Sequence, residues 1–577
     1  MNEWVLRCLL PLACWILLSG IDDLFVDLVG VIAKWRGRKK EKLPRAQELL
    51  GHPQKAIAIL TPLWQESPVI GRMVKQNLAA VEYSNYHFFI GAYPNDPDTV
   101  HVLGQLESHH SNVHLALCPH DGPTSKADCL NWIYQRMAAY EGHHGIRFEI
   151  VVTHDAEDVI HPEALHWINF YADRYEMVQV PVLPVRTPVL QFTHGLYCDE
   201  FAEYQDRDMP VREFMGAFVP SNGVGTGFRR DALESLAAAE GNRIFEPVCL
   251  TEDYENGLRL CLRGAKQKFL PVQELGIATR ELFPQKFRSA VRQRTRWVTG
   301  ISLQTWDRHG WPGNLVQKYW LWRDRKGLLG SPINLVTNLI FLYGLVVWSL
   351  GMPLKWHPIF GATVLIGAHR LLYRMRAVGS LFGWRFAFGA FVRVFYGNLV
   401  NTVATSRAIW QFGRSKLLRE RLVWLKTQHA YPSQQALQAE PKQLAEILIH
   451  GGWVERWQMD KASETLEPGT CVGKILMQLG YLEEGGYYQA LSLQRGVPHL
   501  NIDVDEITAQ IARSLPAKII REWQVLPFRV EYGSLVVAST YVPSAEAEQA
   551  VRRFTRLSVR FTLITPANYQ KLVHALL

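Results

Sequence analysis

The sequence predicts a mainly parallel α/β sheet domain with helices on both faces, followed by membrane helices and a separate α+β module. Three observations predict it. Short apolar runs alternate with helical stretches between about residues 55 and 310; predominantly apolar segments flank that region; and a helix–glycine–helix pattern repeats in the C-terminal quarter. Strands joined through helices pair in parallel and present their ligand loops at the strand C-termini. The 577 residues leave room for roughly three to four domains. A hydrophobic content of 48% suits a largely soluble chain with a few membrane segments better than a polytopic transporter.

The N-terminal segment comes first. Trp4 to Ile32 is predominantly apolar and exceeds the ~20 residues needed to span a bilayer. Its leading charge is Arg7 alone and no small-residue cleavage site follows, so it reads as an anchor rather than a signal peptide. Asp22, Asp23 and Asp27 interrupt its second half. Carboxylates are costly at membrane depth, so they are expected to pair with arginines of later helices such as Arg370 or Arg393. The basic run Lys34, Arg36, Arg38, Lys39, Lys40 and Lys42 makes the chain cytoplasmic from residue 34 onward. Residues 1–33 are therefore a transmembrane helix and 34–310 a cytoplasmic domain.

The formal charge of +8 gathers beside apolar segments, here and again at Arg323, Arg325 and Lys326. Such clusters fix topology and touch anionic membrane lipid, and no nucleic acid partner is expected. The eight cysteines are scattered without a CxxC pair, which fits a reducing compartment and excludes a zinc or disulfide framework. His109-His110 and His143-His144 read as exposed loop residues rather than metal ligands.

Within the cytoplasmic domain, 56–61, 87–91, 114–117 and 148–153 read as buried strands, and Val69–Ala80 and Ala127–Tyr140 as helices between them. Beyond it, Leu328 to Leu350 carries no charge and is the clearest span, and Trp356 to Tyr373 is a second. Residues 381–410 are apolar but contain Arg385, Arg393 and Arg407; they form either a third crossing or, the preferred reading, an amphipathic helix in the cytoplasmic interface. Residues 311–432 thus hold interfacial and transmembrane helices, giving about three crossings with the N-terminal one. Hydrophobicity drops after Tyr431, and 433–577 reads as a cytoplasmic α+β module. In it Gln443–Val454 is echoed by Cys471–Leu482, each helix, glycine turn, helix; 525–530, 534–539 and 557–563 read as strands.

The chemistry gathers at the predicted strand ends. Thr61-Pro62-Leu63-Trp64-Gln65-Glu66 ends the first strand and Asn95-Asp96 the second. Ser125-Lys126-Ala127-Asp128 opens a helix, and His154-Asp155-Ala156-Glu157-Asp158 ends the fourth strand. Three carboxylates in four residues repel one another unless a cation sits among them, and hard oxygen ligands suit Mg²⁺ or Mn²⁺. An acidic helix N-terminus is the alternative reading. Ser221–Arg230 is glycine-rich but lacks the strand and GxGxxG spacing of a dinucleotide loop. Glu252-Asp253 supplies a carboxylate that is ionised at neutral pH at an ordinary pKa, as a general base must be. Gln293-Arg294-Thr295-Arg296-Trp297 follows about forty residues later, just before the apolar half.

Glu-Asp followed by QxxRW resembles the signature of processive family 2 glycosyltransferases. The resemblance covers residues 55–300 in family order and implies a GT-A domain, a UDP-sugar donor and a glycan acceptor. It implies donor contacts at Pro62, Glu66, Asp96, Lys126, Asp128 and Asp155, and a metal at Asp155, Glu157 and Asp158 in a DAED variant of the family's DxD. It further implies that Asp253, beside Glu252, is the general base of an inverting displacement. Gln293, Arg294, Arg296 and Trp297 would meet diphosphate and acceptor, the arginine by charge-assisted hydrogen bonds and the tryptophan by stacking.

Over nearly the whole chain the layout resembles the phage adsorption protein B family of bacterial inner-membrane glycosyltransferases. The likeness rests on Ser19–Leu24, Tyr93–Pro97, Lys126–Asn131, His154–Asp158 and Lys426–His429. It implies an N-acetylhexosamine donor, a secreted polysaccharide and an outer-membrane glycan export partner. The tail resembles the type II secretion ATPase N-terminal domain, some members of which bind cyclic di-GMP through two RLGxxL…G…L…Q repeats. Here Gly473, Ile475, Leu476, Gly480, Ala490, Leu491 and Gln494 stand, with Cys471 at the arginine position; Gln443, Ala445 and Leu466 depart from the first repeat. A polyprenyl-phosphate sugar transferase and an inert signalling scaffold are the alternatives left open.

Overall fold

The computed structural model describes residues 3–40, 43–44, 46–272, 276–351, 357–420, 422, 431, 444–464, 472–495, 497–531 and 534–577. Two compact units result. One holds Met1–Leu43, Pro53–Lys75 and Tyr83–Pro432; the other holds Pro44–His52, Gln76–Glu82 and Ser433–Leu577.

The first unit is built on β1 (Ile57–Pro62), β2 (Tyr86–Ala92), β3 (Val113–Leu117), β4 (Ile150–Thr153), β5 (Met177–Gln179), β7 (Thr226–Arg229) and β8 (Gln267–Phe269) in the order β3-β2-β1-β4-β7-β5-β8. β1 lies at the centre, parallel to β2 on one side and β4 on the other, with Ile59 opposite both Phe88 and Val152. Ile57 through Leu60 are fully buried. Strands covered on both faces read as unbroken apolar runs, which is why these were legible. β7 enters antiparallel between β4 and β5, the one break in an otherwise parallel sheet. β6 (Val182–Pro184) and β9 (Thr279–Glu281) pair in parallel as a separate ribbon.

Ten helices matter below, all of this unit apart from the end of α2: α1 (Glu3–Lys40), α2 (Ser67–Ala80), α3 (Pro97–His109), α4 (Lys126–His144), α5 (Phe192–Glu203), α6 (Glu252–Leu262), α7 (Phe287–Trp297), α8 (Leu315–Ser349), α9 (Pro358–Phe382) and α10 (Ala390–Leu418). α4 starts where Ser125 Oγ accepts the Asp128 N–H and stops at Gly145, whose φ of 66° only glycine adopts cheaply. Its Leu130, Ile133 and Met137 join Phe89 and Phe148 in the main core.

Among the described residues one helix, α8, is long and apolar enough to cross a membrane. The expectation of about three crossings therefore stands on α8 alone by this measure. α1 carries Asp22, Asp23 and Asp27, and α9 carries Arg370, Arg374 and Arg376. The three aspartates, Arg370 and Arg374 are paired. Asp23 takes Arg323 at 2.9 Å and Arg370 at 3.3 Å; Lys326 reaches Asp22 at 2.7 Å; Asp27 meets His369 at 2.9 Å and Arg207 at 3.3 Å. Arg370 is thus a partner as expected. Arg393 is not: α10 runs beside α5, so its guanidinium meets Asp199 instead, two contacts of 2.7 Å with both side chains buried.

In the second unit, helices Leu444–His450 and Arg456–Glu464 turn at Gly452 (φ 70°), and helices Val472–Gln478 and Glu484–Arg495 turn at Gly480 (φ 71°). A left-handed residue at the same place in each pair is what the sequence repeat encodes. β10 (Val525–Glu531) pairs antiparallel with β11 (Ser534–Ser539), which pairs in parallel with β12 (Ser558–Leu563). Ile475 and Leu476 are buried in the helical core, Gly473 is closed over by the Tyr487 ring, and Gly480 is exposed at its turn. Leu491 packs at the edge of that core. Cys471, Gln443, Leu466, Lys426–His429 and the Gln494 side chain lie outside the described residues.

Candidate active site

A cavity of about 610 Å³ opens at the C-terminal ends of β1 and β4. Pro62, Leu63, Trp64 and Glu66 wall it from the end of β1. Asp96 stands just behind. Its Oδ2 accepts the Gln65 N–H at 2.6 Å, and Gln65 sits at a φ of 53°, so this carboxylate fixes the turn that presents Glu66. Asp128 also lies outside the lining, its carboxylate held by Thr124 Oγ1 at 2.8 Å and His120 Nε2 at 3.2 Å.

From β4 come Asp155, Ala156 and Glu157, all at the cavity wall. Asp158 turns inward: its Oδ2 accepts the Asp155 N–H at 2.9 Å and lies 2.7 Å from His154 Nδ1. Burial lowers His154 to about 3 and pushes Asp158 well up, so the two form a neutral pair sharing one proton beneath the loop. Lys126, in the first turn of α4, reaches Asp155 Oδ1 at 2.6 Å. Burial works against its charge, but Asp155, Glu252 and Asp253 outweigh that and hold it firmly protonated.

Glu252 and Asp253 open α6, where the helix N-terminus favours negative charge. Burial first, then the Asp253 charge, raises Glu252 to about 7; burial likewise lifts Asp253 above the usual carboxylate range. The glycine-rich loop lies against this pair. At Gly223, with φ 78°, a Cβ would fall 2.5 Å from Asp253 Oδ2 and 3.3 Å from Lys126 Nζ, so only glycine lets the backbone come this close.

The QxxRW helix divides its work by periodicity. Gln293, Arg296 and Trp297 share one face of α7 and line the cavity. Gln293 Oε1 and Arg296 Nε are buried there without a hydrogen-bond partner among the described residues, as is Asn222 Nδ2 from the glycine loop. Buried polar atoms are rarely left so unless water or a ligand satisfies them. Trp297 rests among Tyr197, Phe201 and Phe283, ring centroids 6.0–6.4 Å away. Arg294 points elsewhere. Its Nη1 donates to Glu200 Oε2 at 2.6 Å and Asn401 Oδ1 at 2.7 Å, and it lies over the Tyr197 ring, tying α7 to α5 and α10.

Two features had no motif to announce them. Glu281, at the end of β9, lines the cavity with Asp155 and Glu157; burial and the charges of Asp158, Glu157 and Asp155 push it far up. The second is the reach of the cavity, which runs on past Tyr204, Arg207 and Asp208 of a π-helical turn to Trp15, Ser19, Gly327, Ser331, Asn334 and Arg370 on α1, α8 and α9.

Among the described residues no three His, Cys, Asp or Glu side chains converge as a metal cage. That is compatible with Mg²⁺ or Mn²⁺, which take one or two carboxylates and complete their shell from substrate phosphates and water. Asp155 and Glu157 at the wall fit such a role. The raised Glu252, Asp253 and Glu281 show the electrostatic strain that an added cation relieves.

Residues 53–300 match the family model "Glycosyltransferase like family 2", and residues 495–577 match the MshEN domain. Along the chain, bacteriophage adsorption protein B of Escherichia coli K12 is 33% identical over 596 aligned positions, covering 96% of this chain and 79% of that protein. The chain belongs to the bacteriophage adsorption protein B family. Within it, a family 2 glycosyltransferase domain is joined to a C-terminal MshEN module. The type IV pilus assembly ATPase PilB of Myxococcus xanthus is 30% identical over 96 residues, 16% of this chain and 17% of that one. Among solved structures, the mannosyltransferase PcManGT of Pyrobaculum calidifontis with GDP-Man and Mn²⁺ is 16% identical, with a TM-score of 0.41 over 66% of this chain and 98% of that one. A structure of MshE with cdg is 20% identical, with a TM-score of 0.22 over 24% of this chain and 99% of that one.

Proposed function

We propose that the protein is an inverting, metal-dependent glycosyltransferase of the bacterial inner membrane that moves a sugar from a UDP-sugar onto a growing exopolysaccharide. The observation that carries this reading is the convergence of Asp253, Lys126, Asp155 and the pair Arg296 and Trp297 on one cavity from four separate segments. Asp253 accepts the proton of the acceptor hydroxyl as that oxygen bonds to the sugar's anomeric carbon and the bond to UDP breaks on the opposite face. Lys126 and Arg296 stabilise the departing diphosphate, and Arg296 does so with a buried donor otherwise unspent. Trp297 offers its face to the acceptor ring. A divalent ion at Asp155 and Glu157 would offset charge on the leaving group.

The long cavity supports a polymeric acceptor. Its continuation between α1, α8 and α9, with Trp15, Ser19, Ser331 and Asn334 in its wall, gives a hexosamine chain polar and aromatic contacts beyond the transfer point. Crossings additional to α8, a cytoplasmic catalytic domain and an outer-membrane export partner belong to the same reading. In the C-terminal module the MshEN match and the paired glycine turns support cyclic di-GMP as effector, with Cys471 in place of an arginine weighing against tight binding.

UDP release from purified protein, screened over UDP-sugars with Mg²⁺ or Mn²⁺ and with or without cyclic di-GMP, tests this. Asp253→Asn is expected to lose roughly 10²–10⁴-fold in turnover, and Asp155→Ala to lose its response to divalent ion. Unchanged UDP release in both variants would overturn the enzymatic reading.

A further inference from the structure

A second cavity, of about 300 Å³, lies on the other side of the QxxRW helix, between α7 and the C-terminal end of α10. Its wall holds four arginines: Arg292 and Arg296 from α7, Arg407 and Arg414 from α10. Among the described lining residues Glu420 is the one carboxylate, and it lies 3.5 Å from Arg414. Four guanidinium groups around so small a space repel one another, and an anion seated among them relieves that repulsion. Rigid, planar, multiply donating guanidiniums are the side chains best suited to phosphate oxygens.

The setting says which phosphate. Val403, Arg407, Trp410, Arg414 and Leu417 follow one another three or four residues apart, so they form one stripe along α10. Val403, Trp410 and Leu417 on that stripe are all exposed, Trp410 at 62% and Leu417 at 84%. Apolar and aromatic residues interleaved with arginines, on an exposed helix face, form the pattern that lies at the headgroup level of a bilayer. Arg414 further lies over the Trp410 ring at 5.7 Å, which places the cation beside the membrane-seeking aromatic. Arg296 and Leu250 border both cavities, so a group bound here sits one guanidinium away from the sugar-transfer site.

We infer that this arginine pocket binds the phosphate of an anionic phospholipid headgroup, with Trp410 and Leu417 in contact with the acyl region. The inference does not depend on which sugar is transferred, or on transfer at all. Native mass spectrometry of the full-length protein, delipidated and then titrated with phosphatidylglycerol or phosphatidylcholine, tests it. Wild type is expected to retain phosphatidylglycerol in preference to phosphatidylcholine. The double variant Arg407→Gln/Arg414→Gln should lose roughly tenfold or more of the phosphatidylglycerol affinity with phosphatidylcholine unchanged. Arg407→Lys/Arg414→Lys, which keeps the charge but not the fork, should fall between them. Arg407 and Arg414 are both exposed and can change without disturbing the core, and an unaltered melting transition verifies this. Equal retention of the two lipids by wild type, or equal phosphatidylglycerol retention by wild type and the glutamine variant, overturns the inference. So does a parallel titration in which inorganic phosphate, without lipid, binds as tightly as phosphatidylglycerol, because the ligand would then be a free phosphate.

Discussion

The two ends of the large cavity are both crowded with charge, and they solve the crowding differently. At the donor end Glu66, Asp155, Glu157, Glu252, Asp253 and Glu281 face Lys126 and Arg296, six carboxylates against two cations. At the end between the long helices Asp23, Glu200, Glu203, Asp208 and Asp324 face Arg207, Arg212, Arg323, Lys326, Arg370 and Arg374, five against six. The balanced end is a lattice of ion pairs; Glu203 alone meets Arg374 at 2.8 Å as well as Arg207 and Arg370. The unbalanced end raises the proton affinity of Glu252, Asp253 and Glu281 instead. Compensated charge at the first joins elements of the fold, whereas under the proposed function the excess of carboxylates at the second is what a ligand's cation would offset. Magnitudes follow from this contrast, and each of them can break it.

The largest effect on folding is expected where compensation is complete. Asp199 and Arg393 are both buried, and removing one partner leaves a charge with no water to receive it, at a cost of about 3–5 kcal/mol. Asp199→Asn is therefore expected to lower the melting temperature strongly, read by intrinsic fluorescence of the protein in nanodiscs. A shift no larger than that of a surface aspartate variant would mean that the pair is solvated and the contrast false.

A smaller effect concerns pH at the donor end. Glu252 titrates near 7 in the fold against about 4.5 when unfolded. A raised carboxyl pKa contributes stability that is complete below the unfolded value and lost as pH rises through the folded one. Ligand-free protein should thus lose on the order of 2–3 kcal/mol between pH 4.5 and pH 8 from this group. UDP with Mn²⁺ should flatten that slope, since added positive charge lowers the carboxyl's proton affinity. A melting temperature that falls equally with and without the ligands would detach Glu252 from the site.

What the sequence revealed of all this depended on whether the signal was local. β1, β2 and β3 and all three C-terminal strands are continuous or alternating apolar runs, and they fold within a residue or two of the expected bounds. β7 was hidden because Thr226–Arg229 is glycine-containing and reads as the end of a loop; its partners β4 and β5 hold it in a strand that its own residues would not choose. In the site, strand-end carboxylates were legible because a turn follows each strand. Glu281 was not, since it is a single residue that only the ribbon with β6 carries to Asp155, more than a hundred positions away. The division within QxxRW is written in its spacing: Gln293, Arg296 and Trp297 lie at helical spacings of three and four, and Arg294 falls off that face. The tail's glycines were read correctly as turns, because the same residue recurs at the same offset in both helix pairs.

The smallest effect separates the two ends most sharply, because its sign is opposite. Glu281 lies among Asp155, Glu157 and Asp158 and, as a neutral acid in the ligand-free fold, is mimicked by glutamine. Glu281→Gln should then be nearly silent at pH 6. At pH 9, where the native carboxyl is driven toward a charge that Lys126 offsets only in part, the variant should melt higher than wild type by a few degrees, matching about 1 kcal/mol. The same substitution should weaken binding of Mn²⁺ with UDP, since the ligand's cation loses one of the charges that attract it. A gain in stability together with a loss of ligand affinity is the signature of a group held under strain for its ligand. If glutamine instead destabilises the protein at both pH values, Glu281 has a compensating partner, and the donor end is simply another part of the lattice.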